Sequence, residues 1–154
     1  NTPALENPEL ISELAKRFGS QCVVIGIDSL RDSDGQWRVR SHTGDPEKTK
    51  QSGIRTLDWL SEVQNRGAGE VVLNCMASDG TRDGYDIEQL SAARADCHLP
   101  LIASGGAGTV QHFIDVFQCC DVDGALAASV FHKNILPVPN LKQQLSQHGI
   151  SIRL

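Results

Sequence analysis

Apolar residues fall into two spacings that alternate along the chain. Leu10, Ile11, Leu14 and Phe18 recur at the helical period, introduced by Asn7-Pro8-Glu9 and closed by Gly19. That start combines a capping side chain, a proline at the first helical position and a carboxylate facing the positive end of the dipole. Glycine supplies the stop. Cys22 to Ile27 is then a nearly continuous apolar run ending at Asp28, as expected of a strand covered on both faces. The helical period returns in Leu57, Leu60 and Val63, with Arg66 in the last turn and Gly67 beyond. Val71 to Met76, Leu101 to Ala103 and Gly124 to Ala127 are further strand-like runs. Between them, Asp86 with Gln89 predicts a capping box, and Val110 to Phe117 reads as a helix. A last helix is expected from Pro139 to Gln147, stopped by Gly149.

Three segments stand outside this rhythm. Residues 1–6 are short and polar. Asp34-Gly35 followed by alternating Trp37, Val39 and Ser41 predicts a small β excursion. His42 to Gly53 is polar and charged, and reads as a mobile loop of the kind used as a lid or binding loop, or as a solvated surface loop. The remaining alternation of helix and apolar strand means βαβ units and a parallel sheet. About four strands are visible in 154 residues, whereas a closed (β/α)8 barrel typically needs about 250. The pattern opens on a helix that lacks its preceding strand, and therefore predicts half of a TIM barrel, cut just after a strand.

Composition narrows the function classes. A formal net charge of -5 argues against nucleic acid as the main partner. No apolar run approaches the ~18 residues of a membrane span, and no signal peptide is visible, so a cytoplasmic protein is expected. The five cysteines lack C-x-x-C spacing and read as free structural thiols, with Cys22 and Cys75 inside strands. The five histidines have no paired-ligand spacing, so neither a metal site nor a cofactor is expected.

Candidate chemistry gathers at the predicted strand ends. Asp28 stands where barrel enzymes place catalytic groups and could serve as a general acid or base; a cap or turn aspartate is the plainer alternative. Asn74, Asp79-Gly80, Ser104-Gly105-Gly106 and Ala128-Ser129 share that rim. Glycines admit close approach of a ligand to backbone N–H groups, and the helix opening after Gly108 presents unpaired donors to an anion. Two such ends side by side predict a phosphate cradle. Taken singly, Asp79-Gly80 is a turn pair, and Ser104 and Ser129 are turn or cap residues. Glu70 lies at the opposite end of its strand, where stability, partner contact or plain solvation is expected.

Several longer stretches together resemble one family, the cyclase subunits of imidazole glycerol phosphate synthase in histidine biosynthesis. They are Asp58-Trp59…Glu62-Val63…Arg66-Gly67-Ala68-Gly69-Glu70 and Asp79-Gly80-Thr81…Gly84-Tyr85-Asp86. They continue through Ile102-Ala103-Ser104-Gly105-Gly106-Ala107-Gly108…His112-Phe113, Ala125 to His132, and the terminal Gly149-Ile150-Ser151-Ile152-Arg153-Leu154. The resemblance covers essentially the whole chain. It implies a (β/α)8 barrel that closes an imidazole ring with ammonia from a partner glutamine amidotransferase. The implied substrate is a two-phosphate ribulosyl-formimino aminoimidazole carboxamide ribonucleotide; the products are imidazole glycerol phosphate and aminoimidazole carboxamide ribotide. By the same resemblance Asp28 matches the general acid, and Asp79, Gly80, Ser104, Gly106, Ala128 and Ser129 match one phosphate site. Asn1 and Thr2 match a pair that helps hold the other phosphate, and Glu70 matches a gate for ammonia. No residue here corresponds to the family's other catalytic aspartate, and roughly the first four strands of the family's barrel have no counterpart. By the resemblance, residues 1–154 are therefore expected to be the C-terminal half of a single barrel domain whose N-terminal half is absent, and to be inactive alone. The sister isomerase of the same pathway is the alternative enzyme. A non-catalytic half-barrel module, self-associating or pairing with the missing half through exposed sheet edges, is the alternative of another class.

Overall fold

The computed structural model describes residues 1–153; Leu154, the end of the terminal motif quoted above, lies outside the described residues. Helices α1 (Thr2–Glu6) and α2 (Glu9–Phe18) lead through a 3₁₀ turn at Ser20–Cys22 into strand β1 (Val24–Arg31). The chain then forms β2 (Trp37–Ser41), β3 (Lys50–Arg55), α3 (Thr56–Asn65) and β4 (Glu70–Cys75). Next come α4 (Ile87–Asp96), β5 (Leu101–Ser104), α5 (Val110–Cys120) and β6 (Gly124–Leu126). The short α6 (Ser129–His132) and α7 (Val138–Gln147) follow. No helix among the described residues is long and apolar enough to cross a membrane.

The sheet has six strands in the order β3-β2-β1-β4-β5-β6. The four strands expected from alternation, β1, β4, β5 and β6, run parallel. The excursion after Asp34-Gly35 adds two antiparallel strands, making the sheet mixed. The last third of the segment read as a mobile loop, residues 50–53, therefore belongs to strand β3. Its polar residues give no alternation because β3 is an outer strand, exposed along nearly its whole length. Ser52 Oγ still ties it to the Val39 carbonyl at 2.8 Å.

The parallel strands are buried on one face, not on both as their apolar runs suggested. Ile25, Ile27, Val71, Leu73, Leu101 and Ala103 point into a single core with Leu60, Val63, Leu90, Phe113 and Val116 from α3, α4 and α5. Within that layer Ser29, Thr56 and Gln89 satisfy one another: Ser29 Oγ lies 2.7 Å from Thr56 Oγ1 and accepts from the Gln89 amide. On the opposite face Val24 and Leu126 are 51% and 45% exposed, and Asp28, Glu70, Val72 and Asn74 are half-buried. This face is the one that carries the candidate chemistry.

Local starts and stops differ from the sequence reading in three places. Residues 2–6 are helical, so the Asn7 backbone closes α1 by donating to the Pro3 carbonyl, and its side chain caps nothing. Pro8 occupies the cap position of α2 instead. Cys22 is exposed in the 3₁₀ turn, whereas Cys75 is buried in β4 as expected. Asp86 does cap α4 through the Gln89 N–H at 2.9 Å, but the Gln89 side chain turns inward to Ser29, leaving half a capping box.

The β1–β2 hairpin is laced by charge. Arg38 donates to both Asp34 carboxylate oxygens at 2.8 Å and to Asp32 at 2.9 Å, and Arg40 pairs with Asp32. The hydrogen bonds from Arg38, with a second from the Gln36 N–H, hold the Asp34 carboxyl at about 2, below its ordinary 3.8. A carboxyl lowered on folding stabilises the folded state above its unfolded pKa and ceases to do so as pH falls through its folded one. The melting-temperature gap between the wild type and Asp34→Asn is therefore expected to be full at pH 5 and to close between about pH 4 and 2. A gap constant over that range counts against the assignment.

Candidate functional site

The loops that follow β4 and β5 touch backbone to backbone. Gly84 N–H donates to the Gly106 carbonyl at 2.9 Å. A Cβ on Gly106 would lie 1.9 Å from the Gly84 carbonyl oxygen, and the backbone there has φ +105°. Only glycine fits such an approach. Tyr85 fixes the same loop to β6 by donating from its hydroxyl to the Leu126 carbonyl at 2.9 Å. Its ring packs edge-on against Phe113 with centroids 5.7 Å apart.

These contacts shape an open concavity of about 430 Å³, lined by residues of all three loops including Asp79, Gly80, Gly106 and Ser129. The backbone N–H groups of Gly80, Gly106, Ala107, Ala128 and Ser129 have no hydrogen-bond partner among the described residues. The α5 start contributes less than its sequence suggests. Thr109 and His112 form a capping box, and His112 Nδ1 accepts from Gly108 N–H at 3.1 Å. The donors available to an anion thus belong to the glycine loops, not to the first turn of α5. Among the described residues lining the concavity, one side chain is cationic, Arg82, whose Nε donates to Ser129 Oγ at 3.2 Å.

A second constellation surrounds Asp28. It lies mid-strand, not at a strand end, because β1 runs on to pair with β2. Register sets Asp28 beside Asn74 and Asn74 beside Ser104 on one face. Asp28 Oδ1 accepts from Asn74 Nδ2 at 2.9 Å, and Oδ2 accepts from Asn1 Nδ2 at 2.7 Å and from Thr43 Oγ1 at 2.6 Å. All are donors suited to an ionised carboxylate. Ser104 Oγ donates to Asn74 Oδ1 at 3.3 Å, so its proton serves Asn74 and does not point into the concavity.

The candidates thus form two linked groups. Asp79, Gly80, Ser104, Gly106, Ala128 and Ser129 line the concavity, while Asn1 and Asn74 hold Asp28. Asn74 and Ser104 join the groups. Thr2 lies beside the second group, its hydroxyl accepting from the His42 N–H at 2.8 Å. Glu70 is apart, level with Val24 at the far end of the parallel strands. Sequence reasoning missed Thr43 and Arg82. Thr43 sat in the segment read as a mobile loop, and no spacing could tie it to Asp28. Arg82 had only its place next to Asp79-Gly80-Thr81 to mark it. Burial pushes the Cys75, Cys97 and Cys120 thiols up, away from thiolate chemistry. No cluster of His, Cys, Asp or Glu suited to a metal ion occurs among the described residues.

Residues 1–137 match the model of a family described as histidine biosynthesis protein. Imidazole glycerol phosphate synthase subunit HisF of Xanthomonas oryzae pv. oryzae (strain MAFF 311018) is 65% identical over 153 residues, which cover 99% of this chain and 59% of that protein. The subunit of the same name from Xylella fastidiosa (strain M12) is 64% identical over 153 residues, covering 99% of this chain and 60% of its own length. That from Xanthomonas axonopodis pv. citri (strain 306) is 64% identical, covering 99% and 59%. The chain therefore spans about 59% of the length of the curated relatives it matches.

Two of the left-handed glycines lining the concavity, Gly80 and Gly106, should respond differently to a methyl group. At Gly80 (φ +78°) a Cβ would meet nothing within 4 Å, so Gly80→Ala is expected to cost only the backbone penalty of about 1–2 kcal/mol. Gly106→Ala adds the collision with Gly84 and is expected to cost a further ~1–3 kcal/mol. Urea unfolding of the two variants measures the difference, and equal losses would refute the close-approach role of Gly106.

Proposed function

We propose, from the premise that this chain belongs to the histidine biosynthesis protein family, that it is the second half of a (β/α)8 cyclase barrel of imidazole glycerol phosphate synthase. The observation that carries the reading is the join between its two groups. One face of the parallel strands holds a carboxylate, Asp28, and an amide-lined concavity, linked through Asn74 and Ser104. A cradle of free N–H groups fits a phosphate monoester, and a carboxyl nearby fits proton transfer to or from the bound molecule. The 64–65% identity to subunits named HisF supports the cyclase over the sister isomerase.

In this reading ammonia from a glutamine amidotransferase partner enters the barrel and condenses with the phosphoribulosyl-formimino carboxamide ribonucleotide. The imidazole ring closes and the aminoimidazole carboxamide ribotide departs. Departing water and amine each need a proton, and Asp28 is the group proposed to supply it. Asn1, Thr43 and Asn74 hold its carboxyl in place. Gly80, Gly106, Ala128 and Ser129 hold one substrate phosphate, with Asp79 and Ser104 shaping the cradle. Asn1 and Thr2, on the Asp28 side, help hold the other. Glu70 stands at the opposite end of the strands, fitting a gate at the ammonia entrance. The open face, with Val24 and Leu126 exposed, is completed by the other half of the barrel. The setting is the cytoplasm, and the chemistry as proposed uses no cofactor.

Mixing this chain with a separately produced first half-barrel is expected to restore ammonia-dependent cyclisation. In that mixture Asp28→Asn should lower kcat by about 10²–10⁴ with little change in KM. Ser129→Ala should act mainly on KM. Turnover undiminished by Asp28→Asn would overturn the assigned role.

A further inference from the structure

Arg82 has a backbone that its residue type does not favour. It sits at φ +64°, in the left-handed region, one of only four non-glycine residues with positive φ among those described. Of the other three, Asp121 and Asn134 are of types that adopt this region more readily than arginine does. The position is also fixed from the other side. Gly108 packs so tightly that a Cβ there would lie 2.2 Å from the Arg82 carbonyl oxygen. Strain that surrounding structure enforces in this way calls for a reason.

The reason lies in where the side chain goes. From the loop after β4, Arg82 is half-buried and crosses to the end of β6, donating from Nε to Ser129 Oγ at 3.2 Å. Its two Nη groups make neither a hydrogen bond nor an ion pair among the described residues, although Asp79 and Asp83 are close in sequence. A guanidinium reaching for a structural partner would pair with one of those carboxylates. This one is held against Ser129, with two donors unspent, over a concavity whose other lining charge is negative. The chain carries a net charge of -5, so no general positive field draws an anion in.

We infer that Arg82 is the phosphate clamp of this site. Nε stays on Ser129 while the two Nη groups hold a phosphate dianion seated on the loop amides, end-on and in the paired geometry that guanidinium offers phosphate. The inference rests on the phosphate reading of the concavity and adds its source of positive charge. The left-handed turn at residue 82 is then a functional conformation, kept because an extended one would send the guanidinium away from Ser129.

Inorganic phosphate is the probe, titrated into the protein and followed by amide NMR shifts of Gly80, Gly106 and Ser129. Arg82→Gly and Arg82→Gln are each expected to raise the phosphate Kd about tenfold, with Arg82→Lys between them and the wild type. Arg82→Gly should melt no lower than Arg82→Gln, since glycine adopts φ +64° without strain. Phosphate binding by the wild type that Arg82→Gly and Arg82→Gln leave unchanged would overturn the clamp while sparing the cradle. Absence of phosphate binding by the wild type would overturn the phosphate reading itself, and the clamp with it. A lower melting temperature for Arg82→Gly than for Arg82→Gln, with binding intact in both, would assign Arg82 a structural role instead.

Discussion

Parallel register is the constraint on which the site depends. Side chains of paired residues share a face, so the ladder that sets Asp28 by Asn74, Asn74 by Ser104 and Ser104 by Leu126 also decides that they can meet. A slip of one residue between β1 and β4 would send Asp28 or Asn74 into the apolar layer beneath α3 to α5. That layer prevents the slip. Ile27 and Leu73, the residues before Asp28 and Asn74, are 1% exposed, and burying a carboxylate in their place would be far costlier than the present arrangement. The apolar face holds the polar face in register.

The loops extend this logic beyond the strands. Their amides are free because the chain there makes no ladder, and the loops stay ordered because they press on one another. Gly106 against Gly84 and Gly108 against Arg82 are backbone contacts that no side chain could permit. Unpaired donors and tight packing usually exclude one another. Here glycine reconciles them, giving loops held stiff while their N–H groups stay unpaired.

What the sequence disclosed follows from the range of the forces involved. Strand and helix alternation is written in local apolar spacing, so β1, β4, β5, β6 and most helices could be read directly. The glycine loop after β5 stood out because glycine has few other reasons to cluster there, and its residues line the concavity with Asp79 and Ser129. Strand β3 was not legible, since an exposed outer strand needs no apolar period. Pro3 and the shortness of α1 hid that helix, and with it the true role of Asn7. Both faces of β1 are apolar enough to suggest double cover, but Gly26 and Asp28 mark the face that the core leaves alone. Thr43 and Arg82 were invisible because their roles arise across the fold, one through a hydrogen bond to Asp28 and the other through a backbone angle.

Strand β2 begins to pair with β1 only at Asp28. Below that point, Val24 to Ile27 keep one backbone edge without a strand partner among the described residues. Any strand docking there must run a short course and halt beneath the hairpin, as a drawer stops at its rail. Its last residue would be delivered level with the carboxylate, where Asn1 already bonds both Asp28 and the Arg40 carbonyl. The hairpin thereby acts as a depth gauge, metering how far a neighbouring strand can advance and which of its residues stand beside Asp28.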